Sequence, residues 1–205
     1  QQRGRKKDEG SAYLATTLDK EPGKILVNFY CWEYYCGEDG DTVVYKVDTI
    51  TGDRKEVERI KDGDSNSGLI FDHDGVARVA YARNKDGTPR ISYRPTPQSP
   101  WQPLAKSLAG YEIANGVFAE DNNTLYAEVS DTGEATQLYK LDVAAGTRTK
   151  LLGRDDINVG TIMTAGWNQV PFGITYSGYK PSVQYLDPAS PWGGVDDSGI
   201  GREFG

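Results

Sequence analysis

The feature that most constrains this chain is that it repeats itself. VVYKVDTITGDRKEVERI (43–60) closely matches QLYKLDVAAGTRTKLLGR (137–154). Each runs apolar residue, Tyr-Lys, apolar residue and Asp, then a turn ending in Gly, a basic residue and a second β-prone stretch. Asp48 and Asp142 stand 94 residues apart, two periods of 47. A degenerate copy with a Pro-rich turn, RISYRPTPQSPWQPLAKS (90–107), lies halfway between them, and SVQYLDP (182–188) places Asp187 45 residues after Asp142. ILVNFY (from 25), VARVAYARN (from 76), TLYAEVSD (from 124) and PFGITYSG (from 171) keep step at 51, 48 and 47 residues. GLIFDHDG (68), GVFAEDNN (116) and GTIMTAGWNQ (160) precede the last three.

A fixed period means that each copy is one unit stacking on the next. The unit reads as four short strands: a, turn, b, loop, c, Gly turn, d. That length and strand count suit a β-propeller blade, whereas a sandwich would give short strands without a period. The expected fold is therefore all-β and β-propeller-like, with about three and a half four-stranded antiparallel blades. The blades fall at 12–60, 68–107, 116–154 and 160–192, between a tail at 1–11 and a flexible end at 193–205. A closed propeller needs roughly 4–8 blades, and open blade edges invite strand pairing. We therefore expect membership of a larger protein or self-association through those edges.

Composition agrees with many short strands and tight turns: Gly 24 and Tyr 13 in 205 residues, with 37 % hydrophobic. A net charge of −7 and a pI near 4.8 leave no basic stripe to neutralise phosphates, so nucleic acid is not an expected partner. The basic cluster Arg3 to Lys7 reads as a solvated tail. No apolar run approaches the ~20 residues that span a bilayer, so no membrane partner is expected.

Four blade patterns also carry a family likeness. Leu138, Tyr139, Leu141, Asp142, Gly146, Leu151, Leu152, Asp156, Gly173, Tyr176, Pro181, Tyr185, Asp187 and Pro188 trace a blade that resembles the propeller domain of the prolyl oligopeptidase family of serine peptidases. The likeness is to its bacterial dipeptidyl/acylaminoacyl-peptidase-like branch, which includes lasso-peptide isopeptidases, and it covers roughly residues 12–192. It implies a propeller that caps an α/β-hydrolase domain and filters peptide substrates reaching a Ser-Asp-His triad, without a cofactor. No triad residue transfers: this chain lacks a Gly-x-Ser-x-Gly elbow. The expectation is thus a non-catalytic, substrate-gating segment whose partners are a peptide and the hydrolase domain. The alternative is a stand-alone propeller-like binding module.

The candidate chemistry reads mostly as scaffold. GDSNS (63–67) imitates a nucleophile elbow at Ser65, but an elbow needs a strand before it and a helix after it. Here a strand pattern follows, so a polar linker is expected. FDHDG (71–75) sets His73 between Asp72 and Asp74. On a strand those neighbours would point to the opposite face, and Asp-Gly is itself a hairpin signal. The Asp/Asn/Gly turns lack the full alternating ligand set of a calcium loop, and tight turns demand those residues anyway. Tyr45 and Tyr139 occupy the same blade position and read as inter-blade packing.

CWEYYCGEDGD (31–41) falls in the b–c loop of the first blade, where other blades carry short polar turns. Trp32, Tyr34 and Tyr35 are candidates for substrate or partner contact, as is Trp167, which sits where other blades carry Asp-Gly or Asn-Asn. Cys31 and Cys36 lack the Cys-x₂-Cys redox spacing, and a disulfide between them requires the loop to curl, because Cα atoms must come within about 7 Å. A disulfide, free thiols and, last, a metal site are the open readings; with one His and two Cys no structural zinc set is complete, and no metal is expected. Two close cysteines lean towards a periplasmic or secreted location.

Overall fold

The computed structural model describes residues 10–18, 20–31, 42–60, 68–84, 86–166 and 170–187, with Cys31 by its backbone alone. These residues form four separate antiparallel sheets, the all-β repeated architecture the period predicts. The first sheet is β1(Gly10–Thr17), β2(Lys24–Cys31), β3(Thr42–Asp48) and β4(Arg54–Ile60). The second is β5(Gly68–Phe71), β6(Ala77–Arg83), β7(Pro89–Tyr93) and β8(Gln102–Pro103). After a single-turn helix, α1(Lys106–Ala109), the third runs β9(Glu112–Phe118), β10(Thr124–Ser130), β11(Gln137–Asp142) and β12(Thr147–Leu152). The fourth holds β13(Val159–Ala165), β14(Val170–Tyr176) and β15(Ser182–Tyr185). Within each sheet the strands are neighbours in chain order, so every sheet is a plain meander a-b-c-d, the last lacking d among the described residues. Contacts group the chain into two compact units, Gln1–Arg90 and Ile91–Gly205, with the boundary inside β7.

Local chemistry explains why the repeat is legible. In the first sheet Asp48 Oδ1 accepts the N–H groups of Ile50 (2.9 Å) and Thr51 (3.0 Å), and Gly52 takes the left-handed conformation at φ +74°. In the third, Asp142 Oδ1 accepts the N–H of Ala145 at 2.8 Å, and Gly146 sits at φ +69°. The Asp…Gly signature is thus one c–d hairpin turn built twice, its Asp replacing backbone acceptors and its Gly escaping the Cβ penalty. The Pro-rich copy closes differently: the Arg94 guanidinium lies 4.6 Å from the Trp101 ring centroid and donates to the Pro97 carbonyl at 3.3 Å.

Burial follows the two-residue period of a strand. In β10, Leu125, Ala127 and Val129 are fully buried on one face. On the other face Tyr126 joins Leu138 of β11 in a cluster completed by Val159, Ile162, Ile174 and Tyr176 of the fourth sheet. Both faces of the third sheet are therefore covered, which is why its strands read as nearly continuous apolar runs. In the first unit Leu26 and Val44 pack with Leu18 against Leu69 and Phe71 of the second sheet. Each buried Leu or Ile contributes about 1.5–3 kcal/mol to this stacking.

Tyr45 and Tyr139 do recur at one blade position, but not as core. Both are half-buried, and each supports an arginine of the following strand: Arg54 lies 4.9 Å from the Tyr45 ring centroid and Arg148 4.7 Å from that of Tyr139. The repeated basic residue after the Gly turn is the cation of a cross-hairpin cation–π pair.

Candidate functional site

A four-stranded meander has two ends. The a–b and c–d turns share one, and the b–c connection lies at the other. The turn end is occupied by carboxylates engaged with their own backbone. Asp48 is held below its usual pKa by the N–H groups of Thr51 and then Ile50. For Asp121, in the a–b turn of the third sheet, burial pulls upwards, but the N–H groups of Thr124 and Asn123 and the Thr124 hydroxyl outweigh it and the pKa falls. Asn122 takes the left-handed conformation there (φ 54°), as Gly75 does in the second sheet (φ 72°). These side chains act as turn formers.

His73 and its neighbours lie in the a–b turn of the second sheet, not on a strand. Asp72 Oδ1 accepts the N–H groups of Asp74 (3.0 Å) and Val76 (2.9 Å), and its Oδ2 takes the Arg78 guanidinium at 2.9 Å. The Asp72 and Arg78 side chains are 4 % and 6 % exposed. Asp72 is therefore the anchor of a buried ion pair that fixes the turn, and its oxygens are already engaged.

At the b–c end, the described connections are short, polar and self-satisfied. In the second sheet Asp86 Oδ1 accepts the N–H (2.9 Å) and hydroxyl (2.6 Å) of Thr88. In the third, the Glu134 carboxylate receives the Thr132 hydroxyl and the N–H groups of Asp131 (2.5 Å) and Thr132 (2.7 Å), which together hold its pKa down at about 2. Asp131 pairs with Arg148 and accepts the Tyr139 hydroxyl at 3.1 Å, tying this loop to the hairpin beside it.

Of the residues singled out from the sequence, Trp32, Tyr34, Tyr35, Cys36, Ser65 and Trp167 lie outside the described residues, and Cys31 is described only as the end of β2, its backbone opposite Gly10. In chain order Trp32, Tyr34 and Tyr35 fall between β2 and β3, and Trp167 falls between β13 and β14. Among the described residues no group of three or more His, Cys, Asp or Glu side chains is placed to hold a metal ion.

Sequence reasoning missed one group altogether. Glu128 of β10 is 4 % exposed, its Oε1 has no hydrogen-bond partner, and burial pushes its carboxyl up to about 7, with a hydrogen bond from Asn115 pulling in the opposite direction. The available signal was a charged residue inside the apolar run TLYAEVS. The register of the repeat could have flagged it.

No family profile and no curated protein matches the chain. Among solved structures, TolB from Acinetobacter baumannii superposes over 87 % of this chain and 41 % of its own length, with a TM-score of 0.55 at 19 % identity. A structure from a study of two prolyl endopeptidases aligns with 90 % of this chain and 29 % of its own, with a TM-score of 0.48 at 13 % identity. This chain thus spans about two fifths of the TolB it matches. With four meandering sheets repeating near 47 residues and a TolB likeness over most of its length, the chain has a β-propeller fold.

Proposed function

We propose that this chain is a non-catalytic β-propeller segment of a prolyl-oligopeptidase-like serine peptidase, recognising and gating peptide substrates for an α/β-hydrolase domain. The observation that carries this reading is the contrast among b–c connections. Those of the second and third sheets are closed on their own carboxylates, whereas that of the first inserts Trp32, Tyr34 and Tyr35 into an acidic segment. Rigid aromatics next to carboxylates suit a peptide carrying apolar residues and a free amine. The blade pattern shared with the prolyl oligopeptidase family supports the choice of parent.

The test is calorimetric titration of the chain with proline-containing peptides. Saturable binding that is lost in a Trp32→Ala, Tyr34→Ala, Tyr35→Ala triple variant is expected, while Trp167→Ala, outside that aromatic segment of the sequence, leaves it intact. The absence of binding by the wild-type chain would overturn the reading. Peptide nitroanilides should not be turned over by this chain, and turnover abolished by Ser65→Ala would make it an enzyme in its own right. We further propose an exported location. Protection of Cys31 and Cys36 from alkylation until reduction is the expected result.

A further inference from the structure

We propose that Glu128 is a proton-operated latch between the third and fourth sheets, allowing them to pack when neutral and loosening them when ionised. The placement rests on strand alternation. Glu128 follows Tyr126 by two residues in β10 and lies opposite Leu138 of β11. Tyr126 and Leu138 both belong to the cluster that Val159, Ile162, Ile174 and Tyr176 of the fourth sheet complete. Residues two apart on a strand share a face, so Glu128 lies on the face that meets the fourth sheet.

The repeat supplies the comparison. Tyr45 and Tyr139, each three residues before the turn Asp, pair with Val27 and Ala127, so the next residues, Asn28 and Glu128, are equivalent. The architecture therefore accepts a neutral side chain here and does not require a carboxyl. Asn28, the neutral polar version, also has a buried side-chain oxygen without a partner.

The third sheet is adapted around Glu128. The β9–β10 register slips between Glu128 and Val129, leaving Ala114 as the extra residue of a bulge, a device that re-aims neighbouring side chains. Asn115, opposite Glu128, accepts the Gly116 N–H at 2.8 Å through its Oδ1, which leaves its amide to donate to Glu128. Leu138 faces Glu128 from β11. The cluster's titratable groups are the phenols of Tyr126 and Tyr176, the latter donating to Gln184 Oε1 at 2.6 Å. Charged groups beside it are Lys140, opposite Tyr126, and Arg154, which lies over Tyr176 and is paired with Asp156. Burial first, then the Asn115 hydrogen bond, set the proton affinity of Glu128.

An acid whose folded pKa is raised from 4.5 to about 7 favours the folded state most at pH 4.5 and below. That advantage is lost as pH rises to 7 and is gone above it. The span corresponds to roughly a 300-fold change in the unfolding constant. Urea unfolding of wild type and Glu128→Gln from pH 4.5 to 8 tests this. The wild-type/variant ratio of unfolding constants should climb by about that factor and level off above pH 7, whereas a ratio flat with pH overturns the latch. Should the glutamine variant fail to fold, the carboxyl ¹³C shift of Glu128 in the wild-type chain decides. A midpoint near 7 supports the proposal, and one near 4.5 overturns it.

Discussion

Asp72 shows how much one side chain can do in a small sheet. It closes the a–b turn through two backbone N–H groups and neutralises Arg78, all of it out of water. Removing the Asp72 carboxylate takes this counter-charge from a buried arginine and leaves two turn N–H groups without their acceptor. Asp72→Ala should cost about 3–5 kcal/mol, while the paired replacement Asp72→Asn with Arg78→Met should cost much less; urea denaturation measures both. Gly52 and Gly146 offer a gentler test. Each sits in the left-handed region with nothing within 4 Å of an added Cβ, so alanine meets backbone strain alone, about 1–2 kcal/mol at either site. The glycines were legible as turn residues, but the Asp72–Arg78 pair was not. Six residues separate its members, and only the turn geometry brings them together.

At the level of elements, the third-sheet hairpin couples strand, turn and loop. Arg148 stacks on Tyr139, pairs with Asp131 and donates to the Leu108 carbonyl at 3.3 Å beside α1. Arg148→Met should lose about 1–2 kcal/mol by the same denaturation assay, since both a cation–π contact and charged hydrogen bonds go. The b–c loop supplies a pH test opposite in sign to the latch. Glu134 has a pKa lowered to about 2, so its contribution is present above pH 4.5 and disappears as pH falls towards 2. The stability gap between wild type and Glu134→Gln should hold steady near neutrality and close in acid. Sequence reasoning recognised this loop as polar and short. It could not see that one carboxylate satisfies three donors, because that depends on how the chain curls between β10 and β11.

For the whole molecule, the question is what covers the edges. Among the described residues the fourth sheet ends at β15, with three strands where the others have four. A strand edge of this kind pairs with whatever strand is offered. Light scattering on the isolated chain should therefore give a mass above 22.5 kDa, and Val183→Lys, which puts a charge on that edge strand, should bring it down towards the monomer. A monomeric wild type would show that the edge is already protected. Among the described residues no helix is long and apolar enough to cross a membrane. The TolB likeness covers most of this chain but under half of TolB, so partners beyond the chain remain part of the functional proposal.

By itself the sequence determined the all-β class, the period near 47 residues, the four meanders and the repeated Asp…Gly turns of the first and third sheets. Those features rest on interactions between residues close in the chain, namely alternation along a strand and side-chain capping of a turn, and such interactions repeat whenever the local pattern repeats. Tertiary structure alone decided which polar residues end up buried. Glu128 and Asn28 hold equivalent places in equivalent strands, and nothing local distinguishes the environments they enter. Only the packing of the fourth sheet on the third turns one of them into a desolvated carboxyl with a proton to lose. Desolvation is imposed by residues distant in the chain, so it is read from the fold.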